Sequence, residues 1–156
     1  MWFTQNNTGH NLSVSKEPAG QKIDPDGIRS MLKQNAPEIR LFFSACIHCT
    51  YCADTCFLQR NNPEDPSYMP SHKVIHSVGR LYKKRGKVTR EELEEIRDIL
   101  WDKCALCTRC LCPFQLNIPG MIALGRDICR SQGAVHRFDG PVPPVELPLE
   151  HHEGGK

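Results

Sequence analysis

Cys46-Ile47-His48-Cys49-Thr50-Tyr51-Cys52-Ala53-Asp54-Thr55-Cys56 places four cysteines within 11 residues, at the spacing C-x2-C-x2-C-x3-C. A second group, Cys104-Ala105-Leu106-Cys107-Thr108-Arg109-Cys110-Leu111-Cys112-Pro113, repeats the first two intervals and shortens the third to one residue. Of the nine cysteines in the 156-residue chain, Cys129 alone stands apart. Disulfide frameworks spread their cysteines, because a bridge constrains the unfolded chain most when it closes a long loop. Two tight groups of four instead gather soft thiolates at two points, as a metal-binding protein does.

The first spacing is that of bacterial-type iron–sulfur ligands. One tight loop brings three thiolates to three irons of a cubane, and the fourth cysteine points away toward a second cluster. The second group keeps the terminal Cys-Pro of that run but lacks two residues, so at full spacing its fourth ligand would fall at Phe114. A local deletion that leaves Cys112 in its role is preferred, because it supplies eight motif ligands. The other reading is Cys104-x2-Cys107-x4-Cys112 with Cys110 spare. By the crossed ligation of two-cluster ferredoxins, Cys46, Cys49, Cys52 and Cys112 hold one [4Fe–4S] cluster, and Cys104, Cys107, Cys110 and Cys56 the other. The short Cys110–Cys112 link leaves that crossing open. The alternative is a zinc-stabilised, non-redox binding module, since two C-x2-C knuckles make a four-thiolate zinc site. Zinc has no use, however, for a third cysteine at x2 spacing in both groups.

Around these groups the sequence reads as helices and polar arms. Residues 1–23 are polar and without a period, and 134–156 hold four prolines, so an N-terminal arm and an extended C-terminal tail are expected. With a short helix at about 27–35, ending before Pro37, the arm spans 1–37 and the ligand-bearing domain 38–133. Pro63, Pro66 and Pro70 mark 58–70 as a loop. From Ser71, the stripe Val74, Ile75, Val78, Leu81, Tyr82 predicts a helix with Gly86 at C′. Thr89 and Glu92 form a capping box for the next helix, with Val88 stapling to Leu93, and Asn117-Ile118-Pro119 opens the last, which stops at Gly133. Hydrophobic residues make up 39% and aromatics 7%, a lean supply for a core, so ligation is expected to contribute to folding and the metal-free chain to be largely unfolded. The start carries no signal-peptide pattern and no stretch approaches 18 apolar residues, so a cytoplasmic chain without membrane insertion is expected. A net charge of +2 argues against a bulk polyanion such as nucleic acid.

Forty-seven residues separate Cys56 from Cys104. Two helices in that interval, Trp101 just before the second group and Ile118-Pro119 after Cys-Pro resemble the α-helical ferredoxin domain over roughly residues 40–133. Two groups of the [4Fe–4S] type most resemble the heterodisulfide reductase C subunit. The resemblance implies a mostly α fold with two [4Fe–4S] clusters. It also implies an anaerobic electron-transfer subunit, non-catalytic alone, between a flavin-containing subunit and a cysteine-rich catalytic subunit. Phe57 after Cys56, where proline is usual, and the short Cys110–Cys112 link depart from the pattern.

No P-loop, G-x-G-x-x-G or H-E-x-x-H is present. Cys129 reads as a buried thiol, and His48 as a surface residue beside the first cluster. Arg80, Lys83, Lys84, Arg85 and Lys87 read as a solvated helix end. Tyr51, Phe57, Trp101 and Phe114 read as shields against water.

Overall fold

A computed structural model describes residues 22–137. Most of the expected arm and tail lies outside them. The described chain is mostly helical, and among the described residues there is no strand.

Helix α1 (Pro25–Gln34) begins where Asp24 accepts the Asp26 N–H at 3.0 Å and Pro25 occupies the first turn. Asn35 separates it from α2 (Ala36–Ala45), which buries Ile39 and Phe42. Pro37 was expected to end a helix; it stands instead in the first turn of the next, where its missing N–H costs nothing. One-turn helices α3 (Tyr51–Asp54) and α4 (Phe57–Asn61) flank Cys56. The loop expected over 58–70 is therefore partly helical, with a further 3-10 turn at Pro66–Tyr68 capped by Asp65.

A long rod follows: α5 (Pro70–Val74), a π-helical segment (Ile75–Gly79) and α6 (Arg80–Lys83). It ends in a Schellman motif, in which the Gly86 N–H donates to Leu81 O at 2.9 Å and the Arg85 N–H to Tyr82 O at 3.0 Å. The left-handed C′ position is thus Arg85 (φ 53°), one residue before the expected Gly86. Helix α7 (Arg90–Asp102) starts at the Thr89–Glu92 capping box, with both reciprocal hydrogen bonds formed. Helix α8 (Ile118–Ser131) is capped by Asn117, whose Oδ1 accepts the Gly120 N–H at 2.9 Å. It closes on Gly133 (φ 67°).

The rod, α7 and α8 pack on one another. Val78 and Leu81, Leu93, Ile96 and Leu100, and Ile122 and Ile128 are fully buried in their shared core. A Cβ on Gly125 would stand 2.9 Å from Leu100 Cδ1, so the glycine sets how closely α7 and α8 approach. Ile28 and Leu32 of α1 belong to the same core, as does Ala134. The folded unit thus extends beyond the expected 38–133 at both ends. His136 is buried too, its ring stacked on Trp101 and its Nε2 3.0 Å from Asp102 Oδ1. This scaffold holds two loops, one between α2 and α4, the other between α7 and α8.

Candidate metal centres

The two cysteine loops share an unusual backbone. In the first, His48 (φ 55°) and Thr50 (φ 63°) flank Cys49; in the second, Leu106 (φ 50°) and Thr108 (φ 60°) flank Cys107. A non-glycine residue in the left-handed region costs about 1–2 kcal/mol, and each loop holds two. Alternation of this kind turns successive N–H groups inward and makes an anion-binding concavity. The Leu106 N–H already donates to Cys104 Sγ at 3.3 Å. Strain repeated at matching positions in two separate loops marks a shared structural demand.

The eight motif cysteines divide into two sets of four. Cys46, Cys49, Cys52 and Cys112 line one cavity, walled by Phe114, Leu116 and Ile118. Cys56, Cys104, Cys107 and Cys110 line a second, walled by Leu58, Pro119 and Ile122. Cys110 and Cys112, with one residue between them, face different cavities. Between them the Leu111 N–H donates to Thr55 Oγ1 at 3.3 Å, tying the short link to the first cysteine loop. Cys52, Cys56 and Cys104 are buried, whereas the middle cysteines Cys49 and Cys107 are exposed in both loops.

Electrostatics describe what such a site must receive. Burial pushes the Cys110 thiol up to about 12, with Cys104 and Cys56 adding to the effect and Lys73 opposing it. Burial also raises Cys52, against hydrogen bonding with Ser71. Thiols in these rings become ligands only when a cationic core compensates their charge. No carboxylate lines either cavity. Among the described residues, no three His, Cys, Asp or Glu side chains converge at the spacing of a single metal ion. Four thiols lining each cavity supply the four-cysteine ligand set that a [4Fe–4S] cluster takes.

Two charged residues that the sequence did not single out support the second loop. Arg126 of α8 donates to Leu100 O at 2.9 Å and to Cys104 O at 2.6 Å, joining the end of α7 to the first ligand. Its guanidinium lies 4.8 Å from the Trp101 ring centroid. Lys73 of α5 lines the second cavity, with its Nζ 3.9 Å from Cys56 Sγ. Neither position belongs to a local motif; the fold carries both to the loop.

The remaining candidates separate. His48 and Phe114 line the first cavity and Phe57 the second. Trp101 lines neither, packing instead against Arg126, Arg130 and His136. Tyr51 is exposed, and Cys129 is fully buried in the helical core. The basic run splits between two faces. Arg80 pairs with Glu92 at 3.0 Å and Glu95 at 2.7 Å, and Lys84 also pairs with Glu92. Lys83, Arg85 and Lys87 line a separate groove with Arg29, Lys33 and Arg40.

Residues 45–117 match the family model described as a 4Fe-4S dicluster domain. No curated protein and no solved structure matches the chain significantly. The matched segment spans both loops and the rod and α7 between them, so an iron–sulfur function in electron transfer rests on motif and family model together. Among the described residues no helix is long and apolar enough to cross a membrane.

Proposed function

We propose that this chain is a two-cluster electron relay in a multi-subunit oxidoreductase, of the kind its resemblance to heterodisulfide reductase C subunits implies. The observation that carries the reading is the division of eight cysteines into two four-thiol cavities, each built on the same strained backbone turn. Cys46, Cys49, Cys52 and Cys112 would hold one [4Fe–4S] cluster, and Cys56, Cys104, Cys107 and Cys110 the other. Bound clusters of this class exchange single electrons at potentials set by their surroundings.

The protein's own part is to hold, shield and bias. The wall of Leu116 and Ile118 lowers the local dielectric at the first cavity, and that of Pro119 and Ile122 at the second. Ile47 and Phe114 expose apolar surface beside the first cavity, Phe57 beside the second, and Leu111 on the link between them. Redox partners dock against these rims. A flavin-containing subunit on one side and a cysteine-rich catalytic subunit on the other would complete an anaerobic, cytoplasmic assembly.

Anaerobic purification tests this directly. The protein should be brown, carry about eight irons per chain, and give a cluster EPR signal on reduction. A colourless protein containing zinc would replace the relay with a structural binding module. Turnover of substrate by the isolated chain would contradict its assignment as a relay.

A further inference from the structure

Lys73 is 1% exposed, and no other lysine or arginine among the described residues is buried. A buried charge is costly unless it is paired. No carboxylate forms an ion pair with Lys73 among the described residues; the charged or polarisable group at its Nζ is Cys56 Sγ, at 3.9 Å. The same side chain lines the cavity of Cys104, Cys107 and Cys110. The lining of the first cavity contains no lysine or arginine. The cavities are thus alike in ligands and backbone and differ in their cationic lining: the second has the buried ammonium of Lys73, the first only the imidazole of His48.

We propose that Lys73 sets the order of the two potentials, making the second site the more readily reduced, so that electrons pass from the Cys46–Cys49–Cys52–Cys112 site to the Cys56–Cys104–Cys107–Cys110 site. This rests on the relay reading above. Reduction adds one negative charge to a site, and an ammonium held beside a ligand sulfur in a dry environment favours the state with that charge. The hydrogen bond from Leu106 to Cys104 Sγ acts in the same direction, since N–H donors to ligand sulfurs also stabilise the reduced state. The balance is simple: the first site loses one electron, the second gains it, and no bond or proton moves.

The test is an EPR-monitored potentiometric titration of the full, iron-loaded chain. Wild type should show two one-electron couples, and Cys107→Ser, a ligand change at the second cavity, should move the higher one. Lys73→Met should lower that same couple at least tenfold in equilibrium constant, which is 59 mV for one electron. Lys73→Arg should restore most of the difference, and the lower couple should stay in place. Equal shifts in both couples, no shift, or an Arg variant indistinguishable from Met would overturn the proposal. If Lys73→Met does not load its second site, the wild-type arm decides: Cys107→Ser moving the lower couple refutes the order. A wild-type chain without iron defeats the relay reading; two couples indifferent to Lys73 defeat only this one.

A different observation concerns the groove of about 710 Å³ between α1, α2 and the turn after α6. Arg29, Lys33, Arg40, Lys83, Arg85 and Lys87 line it, with no carboxylate among the lining residues. Lys33, Lys83, Arg85 and Lys87 form no ion pair among the described residues, while Arg80 and Lys84 are neutralised by Glu92 and Glu95. We infer that this groove docks an acidic segment of a partner protein. Separate point charges spread over three elements match a row of carboxylates, and Tyr82 is the one aromatic side chain in the lining, too few for stacked bases. A fluorescent deca-glutamate peptide should bind the iron-loaded full chain in a salt-dependent manner. Lys83→Glu and Lys87→Glu should each weaken it at least threefold, while Arg60→Glu, with the same charge change on α4, should not. No binding, equal loss with Arg60→Glu, or tighter binding of single-stranded DNA of equal charge would overturn the assignment.

Discussion

At the scale of single residues, Cys110 and Cys112 decide the site. Sequence spacing left their assignment open, because one intervening residue fits neither the full motif nor a clean gap. The fold separates them, and Thr55 holds the link in place. Cys112→Ser should therefore perturb the spectroscopic signature of one cluster and Cys110→Ser that of the other, as resolved by EPR of the reduced protein. Arg126 illustrates what spacing could not supply. It is a helical arginine 22 residues from the carbonyl it binds, recognisable only once α7 and α8 are packed. Arg126→Met leaves the Leu100 and Cys104 carbonyls without their charged donor. Hydrogen bonds to charged groups contribute about 1.5–3 kcal/mol, and iron should be lost first from the second site on mild chelation. Asp65 carries the acid response of the neighbouring turn. Hydrogen bonds from Ser67, with help from Lys103, hold its carboxyl at about 2, below the ordinary 3.8. A depressed carboxyl stabilises the fold above its unfolded value and loses that contribution as pH falls toward the folded value. Asp65→Asn should accordingly flatten the decline in melting temperature between about pH 4 and pH 2.

At the scale of elements, the legible parts were those with local chemistry. The α7 start was readable because Thr89 and Glu92 satisfy each other's backbone donors within one turn. Thr89→Ala should cost about 1 kcal/mol, measured as a lower midpoint in chemical denaturation. Helix α2 was missed because a proline that stops one helix looks the same as a proline that starts another. The turn after α6 was misplaced by one residue for a related reason: Gly86 attracts the C′ assignment, but the Leu81 and Tyr82 hydrogen bonds give that role to Arg85. An arginine at φ 53° is strained. Arg85→Gly should relieve that strain and stabilise the fold by roughly 1 kcal/mol. The π-helical segment left no trace in the apolar stripe, since Val74, Val78 and Leu81 serve either register.

At the scale of the whole molecule, the cysteine spacing indicated two ligand groups, and the apolar periods with the family resemblance indicated a mostly α fold, while the boundaries depended on packing. Ile28 and Leu32 lie on the short helix assigned to the N-terminal arm, and Ala134 and His136 in the stretch that reads as an extended tail, yet all four are buried. The core they join is continuous through the rod, α7 and α8, and narrows the expectation that the metal-free chain unfolds. Iron removal should release the loops at 46–56 and 104–116 to rapid hydrogen exchange while slow-exchanging amides persist in α7 and α8. Whether one crossed set of eight cysteines forms two independent redox sites is decided by coulometric reduction of the anaerobic protein. Two electrons should be taken up per chain, in two one-electron steps. Uptake of a single electron, or of none, would contradict this two-site arrangement.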